Sequence, residues 1–261
     1  MKICFGIPSW LPDKEPDRAE RSERINRLFK QLNDLWPDID ILVVAQNWQD
    51  FKPIKTKNKQ VIKTYKPLGI LKARQTLRDE FLVEGYDYII MFDDDAIIEY
   101  SGDAPKQYIE ELEKHPQGFC FMPGNNNKYH PYCGAQLNLC AISRFIYERE
   151  PMVPIDPQKN EGYEDSIFAC LLYHKWNRYE FKPPKNIRCI QFLNQKEKIP
   201  STWADTEERR PFYIIQHNSD RIQEYIVEHK KFPENYRDMI EVYKKPPEQS
   251  AYGKKGYYLS F

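Results

Sequence analysis

The chain has 261 residues, 41% hydrophobic and 14% aromatic, enough to bury a substantial core and too apolar for a disordered or fibrous chain. Lysine plus arginine and aspartate plus glutamate balance at 39 each, so no net charge marks a binder of nucleic acid or of an anionic membrane surface. The start, Met1-Lys2-Ile3-Cys4-Phe5-Gly6-Ile7-Pro8, is too short in its apolar run for a signal peptide, and no stretch nears the roughly 18 apolar residues of a membrane span. A soluble cytoplasmic protein without stable membrane insertion is expected. The six cysteines, at 4, 120, 133, 140, 170 and 189, show no metal-type spacing and read as small, buried, reduced residues.

In chain order, 3–7 reads as a buried strand stopped by Pro8. A helix follows, with Ile25, Leu28, Phe29, Leu32 and Leu35 at 3.6-residue spacing, Asp17 as its cap and Pro37 as its stop. Buried strands are expected at 39–45 and 61–65, the second after a lysine-rich surface stretch over 51–60. A helix over 71–83 leads into a strand over 86–92 that opens directly onto Asp93, Asp94 and Asp95. Strands alternating with helices predict a mainly parallel sheet flanked by helices. Beyond it come a helix at 105–114, strands at 119–122 and 136–142, a helix starting near Glu164, strands at 187–192 and 212–216, and helices at 220–230 and 233–243. No repeat or long linker divides the chain, so one α/β domain is expected over 1–261.

Three constellations could carry chemistry. Consecutive carboxylates at a strand end repel one another unless a cation or strong donors neutralise them. Ligands of an open α/β sheet bind at that carboxyl end, and carboxylate oxygens suit a hard ion such as Mg²⁺ or Mn²⁺. The bland alternative is an acidic surface turn. Glu161-Gly162-Tyr163-Glu164-Asp165-Ser166 precedes apolar residues at helical spacing, so Glu164 and Asp165 fall at a helix start, where acids also simply meet the dipole. His217, in Gln216-His217-Asn218, ends a candidate strand, either as a metal ligand or as a hydrogen-bonded structural residue.

The order of Asp93-Asp94-Asp95, then Gly162-Tyr163-Glu164-Asp165 opening a helix, then a late histidine, resembles the GT-A glycosyltransferases, Rossmann-like α/β enzymes with a DxD motif that transfer a sugar from a nucleotide diphosphate. The resemblance implies a nucleotide-sugar-binding half over 1–100, an acceptor-binding half over 101–220 and C-terminal helices over 221–261. It implies Asp95 and His217 as ligands of Mn²⁺ or Mg²⁺, with Asp93 on the ribose or the metal and Asp94 joining either role. Asp165 would be the general base of an inverting reaction and Glu164 would orient the acceptor. Pro8, Ser9 and Trp10 after the first strand and Gln46, with Asn47 and Trp48, after the second would meet the nucleotide of a UDP-sugar. The usual acid at the Gln46 position is absent. Arg74, with Lys72, falls in the stretch near the diphosphate, where an ordinary charged helix face is the alternative. Tyr163 and Trp203 would face the acceptor sugar, and 124–127 would form a loop on that side. The acceptor would be a carbohydrate or another hydroxyl on a lipid, protein or modified DNA base. A nucleotidyltransferase using the same aspartates, and a non-catalytic sugar-binding module, are the rival readings.

Overall fold

Strands that are apolar on both faces must lie in a sheet covered by helices on each side, and the chain begins with two of them. β1 (Ile3–Trp10) is buried from Cys4 through Ser9, and β2 (Asp40–Gln46) from Ile41 through Gln46. The structure, a computed structural model, describes residues 1–13, 16–122, 136–150, 168, 172 and 176–191. The chain divides into two compact units. One comprises Met1–Met122, Leu137–Met152 and Arg178–Ile199, and the other Pro123–Gln136, Val153–Asn177 and Pro200–Phe261. The described sheets and helices belong almost wholly to the first unit.

The remaining strands are β3 (Gln60–Tyr65), β4 (Tyr88–Met91), β5 (Ala96–Tyr100), β6 (Phe119–Met122), β7 (Gln136–Ser143) and β8 (Ile187–Gln191). Six form one sheet in the order β3-β2-β1-β4-β7-β6. The pairs β1–β2, β2–β3 and β1–β4 are parallel, and β4–β7 is antiparallel. The mainly parallel sheet expected from the sequence is present. A second sheet, β5 antiparallel to β8, is not among those expectations. Ala96–Tyr100 is only five residues long and its partner lies far along the chain, so no local period reveals it.

Pro8 does not stop the first strand. It lies within β1, opposite Val44 of β2. The carbonyl of Gly6 and the N–H of Trp10 both point to the β4 side, where they meet Phe92 N–H and Asp94 respectively. By the two-residue period the nitrogen of Pro8 faces that same side, where pairing with β4 has already ended at Gly6 and Met91. No ladder donor is missed there, which is the condition for proline in a strand.

Helices cover both faces. α1 (Asp17–Leu35) presents Ile25, Leu28, Phe29 and Leu32, all fully buried, to a core shared with Phe5, Ile7, Ile41, Val43, Tyr88 and Ile90 and with Tyr108 and Leu112 of α3 (Ala104–Lys114). Asp17 is the first helical residue rather than the cap. Pro16 occupies the cap position without a side-chain bond, and Asp17 and Glu20 instead place negative charge in the first turn. α2 (Ile70–Val83) packs on the opposite face against β1 and β2, with Ala73, Leu77 and Phe81 buried. Gly85, at φ 74, makes the left-handed turn that releases the chain from α2 into β4. A short α4 (Arg144–Tyr147) follows β7.

Among the large aromatic residues, Phe29, Phe81, Tyr88, Phe92 and Phe168 are core, at most 1% exposed. Trp48, expected beside the nucleotide, is core as well. It is buried, with its ring edge-to-face on Phe51 at 4.9 Å. Cys4, Cys120 and Cys140 are buried thiols and Cys189 is partly buried, as expected. Cys133 and Cys170, the 124–127 loop, the helix near Glu164 and everything expected beyond residue 191 lie outside the described residues.

Candidate active site

β4 is buried along its whole length, and the chain leaves it at Phe92, whose N–H still donates to the Gly6 carbonyl at 2.9 Å. The next three residues are the aspartates, and Ala96 N–H donating to the Asp93 carbonyl at 3.1 Å closes the turn before β5 begins. The acidic run thus sits at the carboxyl end of a parallel sheet, where open α/β folds bind ligands.

Each carboxylate has a different environment. Asp93 is clamped from two sides. Arg74 of α2 donates to one oxygen at 2.8 Å, and the Asn138 amide of β7 donates to the other at 2.8 Å while its carbonyl oxygen accepts the Asp93 N–H at 2.6 Å. Burial pushes the Asp93 carboxyl up, but Arg74 and Asn138 outweigh it and hold it below the ordinary aspartate value.

Asp94 turns inward and is 1% exposed. One oxygen accepts Ser9 Oγ–H at 2.6 Å and Trp10 N–H at 3.2 Å, and the other accepts Arg21 Nη2 of α1. Ser9 Oγ in turn accepts the Trp48 indole N–H at 3.2 Å. Burial lowers the affinity of Arg21 for its proton, and Asp94 and Asp95 more than restore it.

Asp95 differs from both. Its nearest guanidinium nitrogen, Arg21 Nη1, is 3.9 Å away, within Coulombic reach and beyond hydrogen-bond distance. Burial, opposed by Arg21 and reinforced by Asp94 and Asp93, pushes its carboxyl up to about 6. A half-buried carboxylate with two hard oxygen donors, held beyond hydrogen-bond distance of its neighbouring arginine, fits a divalent cation. Among the described residues no group of three or more His, Cys, Asp or Glu side chains could hold a metal.

The three negative charges are thus met by two arginines, the strong donors that the repulsion of neighbouring carboxylates demands. Of the other residues singled out in the sequence, Pro8, Ser9 and Trp10 end β1 beside this turn. Gln46 ends β2, 3% exposed, with its side-chain oxygen accepting Leu68 N–H at 2.6 Å. Lys72 is exposed. Tyr163, Glu164, Asp165, Trp203 and His217 lie outside the described residues. Arg21 and Asn138 are not among the residues that the motifs single out. Asn138 carries a signal, a polar residue inside the apolar run Leu137-Asn138-Leu139-Cys140. Its neighbour Leu139 adopts φ 55, uncommon for a side-chain-bearing residue, and its carbonyl accepts the Tyr108 hydroxyl at 2.9 Å.

No family model matches the chain, and no curated protein matches it in sequence. Solved structures do. Residues 1–349 of S. aureus TarS in complex with UDP-GlcNAc superpose with a TM-score of 0.58 at 12% identity, over 92% of this chain and 70% of that one. A second structure of the same TarS fragment gives 0.50 at 13% identity, over 93% and 70%. Another S. aureus TarS structure gives 0.53 at 11% identity over 93% of this chain, which spans only 42% of it. The fold is therefore the GT-A-like α/β fold expected from the sequence. Among the described residues no helix is long and apolar enough to cross a membrane.

Proposed function

We propose that the chain is a metal-dependent glycosyltransferase that moves a sugar from a UDP-sugar to an acceptor hydroxyl. The observation that carries this reading is the aspartate turn at the carboxyl end of β4 in a GT-A-like fold, with Asp95 held near positive charge but beyond hydrogen-bond distance of it. Asp95 and His217 would hold Mn²⁺ or Mg²⁺, with Asp93 on the ribose or the same ion. When bound, the cation neutralises charge on the departing diphosphate.

The chain's own residues do the rest. Asn138 and Arg74 fix the Asp93 carboxylate, and Trp10, Pro8 and Gln46 border the nucleotide at the strand ends. Tyr163 and Trp203 would bind the acceptor sugar through their rings. In an inverting reaction the acceptor oxygen bonds to the anomeric carbon as the carbon–oxygen bond to the diphosphate breaks. UDP leaves with the electron pair, and Asp165 takes the hydroxyl proton while Glu164 orients the acceptor. UDP-GlcNAc, the ligand of the TarS complex, is the first donor to try.

The test is turnover of UDP-GlcNAc with Mn²⁺ or with EDTA, read as UDP released, for the wild type and Asp95→Asn. UDP release that requires Mn²⁺ and is lost in the variant supports the reading. Equal turnover in EDTA overturns the metal assignment, and pyrophosphate released from UTP and a sugar 1-phosphate identifies a nucleotidyltransferase instead.

A further inference from the structure

Three adjacent aspartates invite the view that all three face the ligand, yet Asp94, unlike its neighbours, is fully buried, with both carboxylate oxygens occupied by the protein. Its three partners come from two elements: Ser9 and the Trp10 backbone at the end of β1, and Arg21 one turn into α1. The Ser9 hydroxyl is itself fixed by the Trp48 indole. A carboxylate bound in this way is an anchor. Because the turn is only three residues long, clamping its middle member restricts the backbone directions of its neighbours on either side.

The same guanidinium stands 3.9 Å from Asp95 through its other terminal nitrogen. It can offset the charge of Asp95 without occupying the lone pairs that a cation would use. Arg21 therefore links α1, the end of β1 and the aspartate turn, while Arg74 independently serves Asp93 from the other face of the sheet.

The geometry points to Arg21 as a positioning residue: by holding Asp94 against β1 it sets the aspartate turn so that Asp95 can receive a divalent cation. This rests on the metal-dependent reading proposed above. Two roles for Arg21 give opposite expectations. If it acted only as a nearby positive charge, its removal would relieve repulsion and tighten cation binding. If it positions the turn, its removal weakens binding despite the lost repulsion.

Mn²⁺ alone, titrated into the full chain and followed by loss of the electron paramagnetic resonance signal of the unbound ion, separates these. Arg21→Met should weaken Mn²⁺ binding at least tenfold. Arg21→Lys, which keeps the charge but not the forked donors, should recover only part of the loss. Asp94→Asn retains the shape at the anchor and should fold even if Arg21→Met does not. It should weaken binding severalfold, while Asp95→Asn abolishes it. Thermal melts of the same samples show whether each variant is folded, and a purely structural role would lower the melting temperature without changing the affinity of the folded protein. Unchanged or tighter binding in folded Arg21→Met or in Asp94→Asn overturns the positioning role. A wild type that binds no Mn²⁺, or an Asp95→Asn that binds it normally, overturns the underlying metal reading instead.

Discussion

Gly6, in the middle of β1, faces α2 and lies close to Leu77 of that helix and Ile89 of β4. A Cβ added there would collide with Ile89 Cδ1, stand 2.7 Å from Ile89 Cγ1 and lie 3.1 Å from Leu77 Cδ2. Carbon atoms prefer roughly 3.5–4.0 Å, so something must move by about 1 Å. β1 and β4 are tied by their ladder through Cys4–Ile89 and Gly6–Met91, which leaves the buried Ile89 side chain to give way. Gly6→Ala should therefore cost about 1–3 kcal/mol, the usual penalty of overpacking. In urea, with a slope of about 3 kcal/mol per molar, the unfolding midpoint should fall by about 0.3–1 M. Ile89→Val removes the colliding Cδ1 and alone should cost about 0.5–1.5 kcal/mol. The double variant should be more stable than the sum of the two losses predicts, by about 1 kcal/mol. Simple additivity, or a Gly6→Ala protein as stable as the wild type, would refute this account of why glycine occupies the site.

Other consequences are as direct. Asn138→Ala removes its two hydrogen bonds to Asp93 and should cost about 1–3 kcal/mol, measured by the same urea unfolding, with UDP-GlcNAc turnover falling as well. The Cys120 thiol, pushed up to about 12 by burial, should resist iodoacetamide at pH 8 in the native protein and react in urea. Because the folded state keeps that proton longer, its contribution to stability is complete below the ordinary thiol value of 9.0 and is lost as pH rises from there toward 12. Tyr65, which donates to Glu80 at 2.6 Å and is pushed up to about 12, chiefly by that bond, should ionise late in an ultraviolet titration. Glu80→Gln should bring it back toward its ordinary value of 10.0.

The sheet was legible because strands buried on both faces appear as continuous apolar runs, as in Ile41-Leu42-Val43-Val44-Ala45, and because α1 repeats its apolar residues every turn. The placement of the aspartates was legible for the same reason, since a run such as Tyr88-Ile89-Ile90-Met91-Phe92 must end at the sheet's edge. The different roles of the three aspartates were not. In a turn of three identical side chains nothing local distinguishes the one that faces inward, and Arg21 is one of many charged residues along α1. Only the docking of α1 beside Ser9 and Asp94 singles it out. Trp48 misled in the opposite direction, because a ring just past a strand end resembles a ligand platform until Phe51 and Ser9 are seen to enclose it. Pro8 misled because the missing donor matters only where a neighbouring strand is present to receive it.

The bonds that shape the aspartate turn cross long stretches of chain: 85 residues from Ser9 to Asp94, 73 from Arg21 to Asp94 and 45 from Asp93 to Asn138. β5, which leaves the turn, is joined to β8 across 89 residues at Glu99 and Arg188. Each such closure costs chain entropy before it returns any contact energy, and contacts of this range form slowly. The site should thus be among the last features to assemble during folding. Helical signal should recover early in refolding, and the capacity to bind ligand only once the distant segments have met, which makes ligand binding a report on completed folding.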